Sequence, residues 1–370
     1  MKLSYWEYKT WLSNIDFTVI GSGIVGLNCA IHLKERFPKS KVLVLEKGML
    51  PQGASTKNAG FACFGSISEI LSDLQNHSEG EVFDLVKQRW HGLQFLRELL
   101  GDVNIGFHRW GGHEIFLETD RELFENCQMK LPLANELLTP IFGEAPFQTT
   151  ENCFAFQNIH SKYITHQFEG QIETGNMMAS LLDLAQSKGI RILNSIEVKS
   201  FEETGGGVLL QLNDFEFKTN RLFVTTNGFS RTLLDEDVAP ARAQVLITEP
   251  IENLHIKGTF HFDVGYYYFR NIDNRILFGG GRNLDFQTEA TTAFGQTELI
   301  QMELERLLGQ VILPNTPFEI DQRWSGIMGV GKQKKPVVKQ LSNHVYCGVR
   351  LGGMGIAIGS LIGKDLARLA

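Results

Sequence analysis

The stretch VIGSGIVGLNCAIHLKERFPKSKVLVLEKG, from Val19 to Gly48, constrains this chain more than any other. "DFTVIG" (Asp16–Gly21) reads as a buried strand. Glycines then follow at 21, 23 and 26, in the pattern G-x-G-x-x-G. Ile24, Leu27 and Ile31 recur at helical spacing, with the stem of Lys34 on the same face. "KVLVLE" (Lys41–Glu46) reads as a second strand with aliphatics on both faces, as in a parallel sheet covered by helices. Strand, helix and strand make a βαβ unit.

The spacing suits a dinucleotide. Gly21 permits the tight turn out of the strand, Gly23 lets the backbone approach a pyrophosphate, and Gly26 lets the helix lie close to the sheet. The helix N-terminus then turns its free N–H groups and positive dipole end toward the phosphates. Glu46, about twenty positions beyond Gly26, can accept hydrogen bonds from ribose hydroxyls. It would also repel a 2′-phosphate, which disfavours NADP. The motif alone does not separate NAD from FAD.

Composition excludes several classes. The net charge of -7 gives no pattern for nucleic acid or an anionic membrane. The five cysteines are scattered, with no C-x-x-C pair, which argues against zinc or a disulfide framework and fits a reducing compartment. No metal site is expected. The longest glycine-rich apolar stretch, Leu351–Gly363, falls short of the roughly 18 residues of a membrane span. The first residues lack the apolar core and cleavage site of a signal peptide, so a cytoplasmic location is expected.

Later segments add two candidate contacts for a cofactor. "GASTKNAG" (Gly53–Gly60) is small and polar, with hydroxyls at Ser55 and Thr56 and an amide at Asn58. Such a loop either lies against a cofactor or is an ordinary surface loop. Near the C-terminus, "HVYCGV" reads as a strand, and Gly352, Gly353 and Gly355 precede a final helix. That turn either presents N–H groups to negative charge or serves helix–sheet packing. Helices are expected at Glu81–Leu100, within Asp120–Leu138, from Thr174 and near Thr297–Gln310. "HEIFLET" reads as a strand, and "GGGVLLQLNDFEFKTNRLFVTTNG" as a hairpin followed by a buried strand. A β-rich region follows, from "ARAQVLITEP" through "GYYYFRNIDNRILFGGG". The aromatic N-terminus (Tyr5, Trp6, Tyr8, Trp11) either closes over a pocket or packs as a tail.

Taken in order, these segments resemble the D-amino-acid oxidase superfamily of FAD-dependent oxidoreductases, and within it the glycine oxidase, sarcosine oxidase and γ-glutamylputrescine oxidase branches. "GASTKNAG" is similar to a "GAS-x-x-N-x-G" loop. "EGQIETGNMMASLLDLAQSKGIRIL" is similar to the mid-chain segment that leads into the adenine-side strand. "VTTNGFS" is similar to an "ATG-x-W-S" turn, and "RWSGIMGVGKQKKPVV" to a "W-A-G-L-R-P-x-T-x-D-x-x-P" segment. The resemblance implies an α/β plus α+β architecture: a Rossmann-type FAD domain and a mainly antiparallel β substrate domain. The implied FAD-binding parts are 1–104, 151–238 and 323–370, and the implied substrate parts 105–150 and 239–322. It also implies that FAD, bound without a covalent link, meets Gly21, Ser22, Gly23, Ile24, Gly26, Glu46, Lys47, Ser55, Thr56, Asn58, Ala59, Gly60, Val198, Thr226, Asn227, Gly228, Gly326, Gly353, Met354, Gly355 and Ile356.

Members of this superfamily oxidise a C–N or C–O bond, hydride passing to flavin N5, with oxygen or another acceptor taking the electrons onward. The resemblance therefore implies an oxidase or dehydrogenase of a small amine or amino acid. A 2-hydroxy-acid oxidoreductase and a flavin-binding protein without turnover stay open. Tyr268, Arg270, Trp324 and Met328 are the candidate catalytic and substrate residues. Strand alternation puts Tyr266, Tyr268 and Arg270 on one face, where Arg270 either clamps a carboxylate or faces solvent. Met328 stands where the family's "W-A-G-L-R-P" segment carries arginine, and Gln333 where it carries aspartate. Small α-amino acids such as glycine are therefore expected to be poor substrates.

Overall fold

The computed structural model describes residues 3–370. Ile15–Ile20 is the expected first strand, and every residue but Asp16 is buried. It lies between two parallel neighbours, Val42–Leu45 on one side and Glu216–Val224 on the other. The main path of this eight-stranded sheet runs 337–340, 345–349, 216–224, 15–20, 42–45, 191–193, all parallel except the first, with 207–212 and 198–204 joined antiparallel beside 216–224. The hairpin and buried strand expected between Gly205 and Gly228 share one element. Glu216–Val224 pairs with Gly207–Leu212 at its start and enters the parallel sheet at its end.

Helices Ile24–Arg36, Glu79–Leu100 and Gly355–Arg368 cover one face of this sheet, and glycines set their separation. A Cβ on Gly363 would stand 2.5 Å from the Val25 carbonyl oxygen, and one on Gly92 2.2 Å from that of Ala357. Both contacts are backbone, so neither can yield cheaply. The close packing aims the N-termini of Ile24–Arg36 and Gly355–Arg368 at one region.

The second sheet is mixed and mainly antiparallel, ordered 320–330, 239–248, 275–280, 267–272, 259–262, 112–114, 162–166, 147–151. Period-two alternation explains its two faces. Phe260, Phe262, Tyr267, Phe269 and Phe278 form a buried aromatic core on one side. Phe260 and Phe269 stack there with ring centroids 4.6 Å apart. His261, Tyr268 and Arg270 occupy the opposite side, facing the parallel layer.

Three expectations change in detail. The strand in "HEIFLET" covers only Gly112–Glu114, with a single further bridge from Leu117 to Ile159. The helix begun near Asp120 runs from Arg121 to Phe142 through Pro132 and Pro140, both on the solvent side, where the freed carbonyls meet water. The N-terminal segment is helical from Tyr5 to Leu12. It packs through Leu12 and leaves Tyr5, Trp6, Tyr8 and Trp11 exposed. Among the described residues no helix is long and apolar enough to cross a membrane.

Candidate active site

The strand Ile15–Ile20 ends at Gly21, whose φ of 102° lies in the region that favours glycine. Gly23 caps the helix Ile24–Arg36 without a side chain. A Cβ on Gly26 would stand 1.9 Å from the Gly21 oxygen, so only glycine lets this helix meet the turn. Glu46, at the end of the second strand, closes the motif. Its Oε2 accepts from Ser22 N (3.0 Å) and Ser22 Oγ (2.8 Å), and its Oε1 from Gly48 N (3.0 Å).

The Gly53–Gly60 loop folds onto this helix start. Ser55 Oγ accepts from Ile24 N at 3.0 Å. Thr56 Oγ1 donates to the Pro51 carbonyl. Asn58 donates to the Ala54 and Ser55 carbonyls and accepts from Gly60 N and Thr174 Oγ1. Thr56 and Asn58 thus shape the loop with the groups that the sequence offered to a cofactor. Asn227 plays the same part for the C-terminal turn, its Oδ1 accepting from Arg350 N (3.0 Å) and Leu351 N (3.3 Å). Beyond it, a Cβ on Gly352, Gly353 or Gly355 would meet nothing within 4 Å, and Gly355–Arg368 starts with no side-chain cap. This is an open cradle at a helix N-terminus.

A cavity of about 1270 Å³ joins the two cradles and runs to the second sheet. Its walls bring together Gly21, Gly23, Ile24, Glu46, Lys47, Ser55, Asn58, Ala59, Val198, Thr226, Asn227, Tyr268, Gly326, Met328, Gly353, Met354, Gly355 and Ile356. Ser22, Gly26, Thr56, Gly60, Gly228, Arg270 and Trp324 stand behind the wall. Ser22 holds Glu46. A Cβ on Gly228 would meet the Met328 oxygen at 2.5 Å. Trp324 Nε1 donates to the Lys57 carbonyl at 3.0 Å, tying the second sheet to the Gly53–Gly60 loop.

Arg270 shares the face of Tyr268, as alternation predicts. It is 2% exposed, however, and Gly60 packs against it, with Nη2 3.0 Å from where a Gly60 Cβ would sit. Burial pulls its pKa down to about 10. Arg270 does not reach the cavity wall. Tyr266 precedes the strand and sits 39% exposed on the cavity wall.

Arg282, which the sequence offers beside Tyr266, Tyr267 and Tyr268, lies on the wall, as do His261 and Phe61, which the sequence reading passed over. His261 pairs across the sheet with Tyr268, and Phe61 meets both edge-on, at 5.0 and 5.6 Å. Burial lowers the His261 pKa, which keeps the imidazole neutral, and raises that of Tyr268 to about 12. The alternation in Thr259-Phe260-His261-Phe262 carries the signal that could have found His261: its polar face must look away from the aromatic core. Behind His261 lie Glu114 and Glu169, fully buried, their pKa values raised by burial to about 7 and about 8.

The site tests well against FAD. The helix start at Ile24, where Ser55 Oγ takes one N–H, suits a pyrophosphate, the open start at Gly355 suits the pole of a flavin ring, Glu46 suits a ribose, and the aromatic wall suits a planar ring system. The family described as FAD dependent oxidoreductase matches residues 16–369. A gamma-glutamylputrescine oxidoreductase of Escherichia coli is 23% identical, over 96% of this chain and 83% of its own. A glycine oxidase from Bacillus cereus shares the fold at TM-score 0.73 and 15% identity, over 96% of this chain and 93% of that one. An L-proline dehydrogenase from P. horikoshii does so at TM-score 0.73 and 17% identity, over 96% and 93%.

Proposed function

Because the chain belongs to the family of FAD dependent oxidoreductases, we propose that it oxidises the C–N bond of an amine or amino acid whose reacting carbon carries no gripped α-carboxylate. When bound, FAD supplies a two-electron oxidant that accepts hydride at N5. Gly21, Gly23 and Ile24 would hold its pyrophosphate, Glu46 its ribose, and Gly353, Met354 and Gly355 the pole of its ring. The observation that carries the substrate reading is Met328, which sits on the cavity wall beside Gly326 where a guanidinium would be needed. Methionine cannot pair with a carboxylate, and burying an unpaired one is costly. Three strands away on the same face of the second sheet, Tyr268 with Phe61 and neutral His261 makes an apolar, aromatic surface. Such a wall disfavours an ammonium and favours the free amine, the form that can release hydride. Loss of hydride and proton leaves an imine, which water converts to a carbonyl compound and an amine.

The test is anaerobic mixing of the holoenzyme with panels of amines, α-amino acids and 2-hydroxy acids while the flavin absorbance is followed. Bleaching by amines, with slow or absent bleaching by glycine and D-alanine, is expected. Fast reduction by glycine would overturn the reading of Met328, and reduction by 2-hydroxy acids alone would replace the C–N reaction with a C–O one.

A further inference from the structure

Three cations on the cavity wall have neither an ion pair nor a side-chain hydrogen bond among the described residues: Lys332, which is exposed, Lys57, whose ammonium lies over the Phe294 ring, and Arg282. Most of the wall's cations have partners within the protein. Lys47 pairs with Glu197 at 2.7 Å, Lys334 with Asp73 at 2.6 Å and Arg350 with Asp237 at 2.9 Å. Arg89 Nη1 donates to the Phe64 carbonyl at 2.6 Å. Arg282 has neither an ion pair nor a side-chain hydrogen bond among the described residues, although it is half-buried.

Its place is fixed by backbone. Gly280 and Gly281, at the end of the strand Arg275–Gly280, have φ of 131° and 74°. A Cβ on Gly280 would stand 2.1 Å from the Tyr266 oxygen. The chain must therefore turn here, and Arg282 starts the loop that runs to Thr297 along the cavity mouth. Its guanidinium lies 4.8 Å from the centre of the Phe286 ring, which meets Tyr266 edge-on at 5.8 Å. A planar fork stacked on an aromatic face is pre-oriented for a carboxylate. The loop itself is pinned. Glu289, 0% exposed, bonds to Arg242 at 2.7 and 2.8 Å and to Gln244 at 2.9 Å, so its carboxylate is already engaged. Gly295 N donates to Ser325 Oγ, and Thr297 N to Gln244 Oε1, both at 3.0 Å. Burial also lowers the pKa of Arg282, against the opposing pull of Tyr266 and Glu289.

We propose that Arg282 binds a carboxylate at the far end of the substrate, so that the enzyme takes amines bearing an acid several bonds from the reacting carbon. This rests on the amine reading above. The cavity wall carries both kinds of surface, an aromatic patch at Tyr268 and Phe61 and, at Arg282, a half-buried guanidinium with no ion pair among the described residues.

Two measurements test it on the FAD-loaded enzyme, comparing wild type with Arg282→Met and Arg282→Lys. The first is binding without turnover. Dicarboxylates from succinate to suberate, and glutaramide as the uncharged control, are titrated while the flavin spectrum is followed. At least one dicarboxylate should bind the wild type. Arg282→Met should weaken it by about 10- to 100-fold, the loss of one charge-assisted pair, and Arg282→Lys should recover part of this. The second is anaerobic flavin reduction by δ-aminovalerate and by its amide. Arg282→Met should raise the half-saturating concentration for the acid and leave that for the amide unchanged. The proposal is overturned if no dicarboxylate binds the wild type, or if the variant affects acid and amide alike. Amide and acid reducing the flavin equally well in every form would also overturn it, while leaving the amine reading in place. Dicarboxylate binding that depends on Arg282, with no amine reducing the flavin, would uphold the anion site and sink the amine reading.

Discussion

Glu46 has both carboxylate oxygens engaged by Ser22 and Gly48 within the protein itself. With Gln52 N donating to Oε1 at 3.4 Å as well, all four acceptor sites are engaged, so a ribose hydroxyl would share or displace one of these donors at the cavity wall. Replacing it by glutamine turns an N–H₂ toward one of these donors. Glu46→Gln is expected to weaken FAD binding by about 10- to 100-fold, as the loss of a charged hydrogen bond implies, and to lower the melting temperature of the apoprotein. Titration of apoprotein with FAD measures the first effect, and an unchanged Kd would remove Glu46 from the adenosine site. A second residue-scale effect comes from the buried cluster behind the cavity. Glu169 and Glu114 titrate near 8 and 7 in the fold, against 4.5 for an unperturbed glutamate. The folded state thus holds protons that the unfolded chain has released, and this contribution is lost as pH rises toward 8. His113 and His166 titrate near 4 and 3, and His261 is lowered, against 6.5 for an unperturbed histidine. Their contribution is lost as pH falls below 6.5. The cluster should therefore give greatest stability near pH 6.5 and a decline to about 8. Glu169→Gln keeps an acceptor for Phe64 N and Gly65 N and should flatten the alkaline decline. Denaturant midpoints across pH check this; a wild-type midpoint that climbs steadily to pH 8 contradicts it.

Among the elements, those with strong periodicity were plain in the sequence. Glu79–Leu100 has its capping box at Ser78 and Glu81 and its stop at Gly101. Thr174–Ser187 ends before Gly189, whose positive φ makes the turn into Arg191–Leu193. Arg121–Phe142 was less legible past Leu138, because local propensity reads Pro140 as a stop while an exposed proline costs the helix little that water does not replace. The loop from Arg282 to Thr297 was not legible at all. Its order comes from the buried pair of Glu289 with Arg242, residues 47 apart in sequence. Removing one partner of such a pair leaves a buried charge uncompensated, at about 3–5 kcal/mol. Glu289→Ala should lower the denaturant midpoint accordingly and expose this loop to limited proteolysis. A midpoint within error of wild type would show that the pair does not hold the loop.

At the scale of the molecule, two sheets face each other across the cavity, and the chain crosses between them repeatedly. No cysteine lies in the Trp324–Pro336 segment, and Cys63, which lines the cavity, is buried with its thiol pKa pushed up, away from the reactive thiolate. Denaturing the holoenzyme should thus release all yellow colour into the supernatant; colour kept on the precipitated chain would show a covalent link. The sequence by itself determined the parallel layer and its dinucleotide cradle, because a glycine triplet, a helix and an acid at fixed spacing act within some thirty neighbouring residues. It also determined the absence of arginine at Met328. Tertiary structure alone decided which groups face the cavity. It set Gly60 against Arg270, gave Thr56 and Asn58 to loop-building, and brought His261 beside Phe61, which belongs to a short strand of another sheet. Strand alternation fixes the face of a side chain, but whether that face is open depends on segments remote in sequence that fold across it.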